Sequence, residues 1–83
     1  MIRSNQELYG IVTELAKQLG DIGEGRLATG LRDALTVSTL PGEVLGEVRM
    51  ELQRAVASSA YYRLDIRSRV DDSLRYIDSV LGS

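Results

Sequence analysis

The chain has 83 residues with no cysteine and no histidine, a formal charge of −2 and an acidic isoelectric point near 5.0. That composition excludes disulfide frameworks, thiolate nucleophiles, imidazole acid–base chemistry and the usual zinc sites, and no global field draws the protein to nucleic acid or anionic lipid. One small domain is expected. A core this thin is commonly supported by oligomerisation when neither metal nor disulfide is available.

Ser4 starts the first helix, because Glu7 three residues later completes a capping box. Leu8, Ile11, Val12, Leu15 and Leu19 then recur at helical spacing, and Gly20 is the expected stop. Tyr9 and Ala16 flank this stripe.

Asp21 and Glu24 read as a second capping box, so the first two helices should turn back on each other through a very short connection. Leu27, Leu31, Ala34 and Leu35 mark the buried side of the second helix, whose glycines weaken it. Gly23, Gly30 and Ala34 fall along one edge of that stripe. They are either a place where a neighbouring backbone approaches or tolerated glycine on an exposed face.

The segment Thr36–Gly42 breaks the helical pattern, and Ser38 or Thr39 can cap a third helix with Pro41 in its first turn. Val44, Leu45, Val48, Leu52, Ala55 and Val56 form its stripe, and Ser58 and Ser59 interrupt it. Ile66, Val70, Leu74, Ile77 and Leu81 define the last helix up to Gly82; it begins near Ala60 if Tyr62 joins the stripe, and near Asp65 otherwise. Nothing alternates with period two. The expected architecture is all-α, a compact antiparallel bundle of about four short helices at residues 4–19, 22–36, 40–57 and 62–81 in one domain spanning residues 1–83.

The amino-terminal residues lack an apolar signal-peptide core and no apolar run reaches the length of a membrane span, so the expected location is cytoplasmic, with no membrane partner. Nine of the ten basic residues are arginine, a skew that coding bias in a GC-rich genome explains as readily as arginine chemistry.

Glu43, Glu47 and Glu51 form the most regular charged feature, three carboxylates at i,i+4 spacing whose mutual repulsion needs relief. Surface salt bridges, an acidic edge facing a partner, or a hard cation would each supply it. A bundle metal site usually takes ligands from several helices together with histidine, so no metal and no cofactor are expected. Arg63, Arg67 and Arg69 form the one basic concentration, with Tyr61 and Tyr62 inside it, which is the residue mix that phosphate and base stacking require. Asp65, Asp71 and Asp72 are interspersed, and Asp65 to Arg69 and Asp71 to Arg75 are favourable i,i+4 pairs, so a self-paired solvated face is the competing reading. A helix-turn-helix would present Glu43, Glu47 and Glu51 to phosphate, and no Walker A loop occurs. Neither catalytic residues nor a small-molecule substrate are evident.

What remains is packing surface. Gly46, Met50 and Ala57 form a second apolar line on the third helix, and Tyr76 and Val80 flank the stripe of the last one. The functional expectation is a non-enzymatic protein-interaction or regulatory module whose partner is another protein or itself, with a nucleic-acid regulator acting through Arg63, Arg67 and Arg69 as the alternative. In the self-associated form Glu43, Glu47 and Glu51 of one protomer are expected to face Arg63, Arg67 or Arg69 of the other.

Overall fold

The Ser4 hydroxyl accepts the Glu7 amide at 3.1 Å, which satisfies an otherwise orphan donor where the first helix begins, and the Glu7 carboxylate reaches back past Ser4 to accept the Arg3 amide at 3.1 Å. A computed structural model describes residues 1–82. Four helices follow in order: α1 (Asn5–Asp21), α2 (Gly25–Leu35), α3 (Pro41–Val56) and α4 (Leu64–Leu81), with a single 3-10 turn over Ser59–Tyr62 before the last. No strand occurs among the described residues. The protein is an all-α bundle, 30 × 23 × 19 Å, in which each helix packs on the next and α4 returns to pack on α1.

The core is aliphatic and continuous. Leu8, Val12, Leu15, Ala16 and Leu19 of α1 meet Ala28, Leu31 and Ala34 of α2, Val44, Leu45, Val48, Leu52 and Ala55 of α3, and Ile66, Val70 and Ile77 of α4. Ile11, Leu27, Leu35, Leu74 and Leu81 seal its edges half-buried. Ala16, which the pattern placed beside the stripe, is fully buried.

Several local expectations are corrected. Helix α1 runs through Gly20 and ends in a Schellman closure: Gly23 takes the left-handed backbone (φ 88°), its amide bonds Gly20 O at 3.2 Å, and the Glu24 amide reaches Leu19 O at 2.8 Å. Asp21 is thereby consumed by α1 and caps nothing; Glu24 precedes α2 with no side-chain cap. Ser38 accepts the Leu40 amide at 3.0 Å rather than a helix amide, and α3 starts instead on Pro41, whose missing N–H costs nothing there. The 3-10 turn shifts the helical phase before α4, so Tyr62 leaves the core stripe and is 84% exposed, and α4 begins at Leu64. Val56, at the end of α3, is likewise exposed. Gly82 closes α4 in the left-handed conformation, as its position implied.

Candidate interaction surface

The seams between helices decide which side chains remain available. Along α1–α4 polar pairs tie the two helices together near both ends. Tyr76 donates its hydroxyl to Asn5 Oδ1 at 2.5 Å at one end. At the other, the Gln18 side chain accepts from Arg69 at 2.6 Å and donates to Asp65 at 3.2 Å. These two contacts also fix α1 and α4 as antiparallel. Between them on α4 lies Ser73, fully buried, with its hydroxyl unpartnered among the described residues.

Tyr76 therefore belongs to the α1–α4 seam, with its ring packed against the core. Val80 stands one turn further on, 49% exposed. A shallow cavity of about 320 Å³ lies beside them, lined by Met1, Ile2, Asp72, Arg75, Tyr76 and Ser79.

The α2–α3 seam is open. A groove of about 630 Å³ runs along it, with Gly25, Arg26 and Gly30 on one wall and Glu47, Glu51 and Arg54 on the other. Gly30 is bare because the Glu51 carboxylate occupies the space its side chain would take: an added Cβ would lie 2.8 Å from Glu51 Cδ. The close approach suggested by the small residues of α2 is thus made by a carboxylate, not by a backbone. Glu51 is held there by Arg54 at 2.9 Å, with its side chain only 12% exposed.

The three glutamates of α3 consequently have different surroundings. Glu51 is paired and covered, Glu47 is half-buried in the groove wall, and Glu43 is exposed. Glu43 and Glu47 make no ion pair among the described residues. No group of His, Cys, Asp or Glu side chains able to hold a metal ion forms among the described residues.

The arginines of α4 are also distributed. Arg63 lies 3.7 Å from Asp65 and Arg67 lies 3.8 Å from Asp71, both pairs largely in solvent. Arg67 additionally stacks over the Tyr61 ring at 5.3 Å, and the Tyr61 hydroxyl donates to Asp71 at 2.5 Å. That hydrogen bond, followed by burial and the negative charge of Asp71, raises the Tyr61 pKa above its ordinary 10.0, with Arg67 opposing. Arg69 is turned away onto α1. The three arginines do not converge on one point.

The outward side of α3 carries Gly46, Met50 and Gln53, and Ala57 follows as the C-cap of the helix. Among the described residues nothing beyond the backbone of α3 itself and the glycine's two neighbours lies within 4 Å of where a Gly46 side chain would stand, and Met50 is 43% exposed. Arg49, one position before Met50, is turned toward α4 and reaches Asp78 at 3.3 Å. Beyond Ala57 the chain presents Tyr62 and, at 80% exposure, Leu64. Sequence reasoning missed Leu64, which fits no stripe, and weighed Tyr62 only beside the arginines or on the core stripe; two large apolar groups flanking Arg63 were the available signal. Among the described residues no helix is long and apolar enough to cross a membrane. Comparison with family models, curated proteins and solved structures returns no match.

Proposed function

We propose that the chain is a non-enzymatic protein-interaction module whose working surface is the outward side of α3 and the corner that leads into α4. The supporting observation is that Met50 stands exposed on that side of α3 and that two large apolar side chains, Tyr62 and Leu64, stand exposed at the corner that follows. Isolated exposed hydrophobics are ordinary on a protein surface, whereas a local gathering of them marks a contact site. Tyrosine and methionine are also the residue types enriched at interfaces, tyrosine for its large rigid area and methionine for its adaptability.

The test is affinity capture with the folded protein and two variants. Met50→Glu and the double change Tyr62→Ser with Leu64→Ser are expected to lose the captured partner, while Glu14→Lys on the exposed side of α1 retains it. A polarisation titration with single-stranded nucleic acid at low salt tests the alternative. Sub-micromolar binding that weakens steeply with salt and requires Arg63, Arg67 and Arg69 would overturn the module reading.

A further inference from the structure

We infer that the partner is a second copy of this chain, docked antiparallel along α3 so that Met50 packs on the partner's Met50. The inference rests on the module reading and adds to it the occupant and the register. In a two-fold contact the same patch meets itself, so a residue k positions before Met50 lies opposite the residue k positions after it. Gly46 then falls opposite the partner's Arg54, and Glu47 falls opposite the partner's Gln53, one residue from the partner's Arg54.

The charges fit this register. Glu47 and Arg54 share one side of α3, where both line the wall toward α2. In an antiparallel pair that side meets its own counterpart, which brings Glu47 of each protomer to Arg54 of the other, twice by symmetry. Glu47 makes no ion pair in the protomer, and the Arg54 side chain is 64% exposed with a single partner on its own helix, Glu51. A parallel two-fold pairing would instead set that side of α3 against the opposite side of the partner's helix, where Gly46 and Gln53 stand, and would leave Glu47 and Arg54 without each other. The charge pattern therefore selects the antiparallel arrangement.

The apolar part fits it as well. Met50 supplies contact area at the centre of the helix, and Gly46, with open space above it, leaves room for the partner's Arg54 stem. The sixteen residues of α3 give a contact about 24 Å long. A single helix face of that length is smaller than the roughly 800 Å² per partner typical of a stable complex, so a dissociation constant on the order of micromolar is expected.

Sedimentation equilibrium from low micromolar to millimolar protein reads this directly, with circular dichroism confirming that each variant is folded. Wild type is expected to show a monomer–dimer equilibrium, and Met50→Glu to weaken it at least about tenfold, or about 1.4 kcal/mol. Glu47→Arg and Arg54→Glu are each expected to weaken it several-fold, and the two together to restore it, since the charges are then exchanged across the same contact. A dimer indifferent to Met50→Glu, or a double variant no better than its singles, would overturn the register. Wild type that stays monomeric throughout would overturn the second-copy assignment. If the same protein nevertheless captures another chain through Met50, the module reading survives, which separates the two failures.

Discussion

The α1–α4 and α2–α3 contacts are built from the same kinds of residue and end up with opposite characters. Along α1–α4 the apolar stripe is continuous and the polar groups at its margins, Asn5 with Tyr76 and Gln18 with Arg69, close it at both ends. Along α2–α3 a glycine takes the place of a side chain, a carboxylate leans into the space, and a groove stays open beside it. The first contact is organised to exclude water and carries stability. The second tolerates water and leaves α3 free to present its charges and its outward side.

The largest test of that contrast compares truncation at the two places. Leu15, fully buried in α1, is expected to cost roughly 2–5 kcal/mol on conversion to alanine, a large share of the stability of a domain this small. Met50→Ala should change the stability of the monomer by no more than about 0.5 kcal/mol, because it removes only surface contacts. Urea denaturation at dilute protein concentration measures both. Comparable losses at the two positions would show that the outward side of α3 is part of the core.

Ser73 offers a test of opposite sign. Its hydroxyl is buried without a hydrogen-bond partner among the described residues, and a desolvated unpaired group is a cost that alanine removes while also improving helix propensity. Ser73→Ala should therefore stabilise the protein by about 1 kcal/mol. A loss in its place, read from the same denaturation curves, would mean that the hydroxyl is satisfied in solution and that the α1–α4 seam admits water.

What the sequence disclosed follows from this contrast. The core was legible because Leu8, Leu15, Val48, Val70 and Ile77 repeat at the period of the helix, and a buried side needs nothing more than that repeat. Ser4 with Glu7, and Gly82, were legible because a cap is a local bond between near neighbours. Gly20 was mistaken for the stop because two glycines, three residues apart, compete for that role, and the winner is the one that can complete the Glu24 to Leu19 bond. Tyr62 was misplaced because a 3-10 turn advances the chain by a different angle per residue, so the phase of α4 does not extrapolate backwards. The groove was invisible for a different reason. Gly30 and Glu51 meet across two helices, as do Gln18 and Arg69, and spacing along the chain carries no record of such pairs.

Gly30→Ala isolates that hidden pair. The new methyl overlaps the Glu51 carboxylate, which sits at the end of a flexible side chain and can swing into solvent. A gain of about 1 kcal/mol in helix propensity then opposes the loss of the covered Glu51 seat and of its bridge to Arg54, whose own side chain is in solvent, a pair worth on the order of 1 kcal/mol. The expected net change is near zero. In a Glu51→Ala background the opposing part is gone, and Gly30→Ala should recover most of the helix-propensity gain. Equal effects in the two backgrounds would show that the carboxylate does not occupy the space above Gly30.

The smallest expected effect concerns the clasp that ties the 3-10 turn to α4. Tyr61 donates to Asp71 while Arg67 covers its ring, and the hydrogen bond, burial and the carboxylate charge together hold the phenol pKa above 10.0 in the folded protein. A pKa raised on folding means that the folded state retains the proton more tightly than the unfolded state does, so the stabilisation is fully present below pH 10 and is lost as the pH rises through the raised value. Above that point the phenolate can no longer donate and stands against the Asp71 charge. The difference in urea midpoint between wild type and Tyr61→Phe should consequently be constant from pH 7 to about 9.5 and shrink above pH 10, as wild type alone loses the bond. A difference that stays constant through pH 11 would show that the Tyr61 proton is not shared with Asp71, and that the turn is held by the packing of its ring alone.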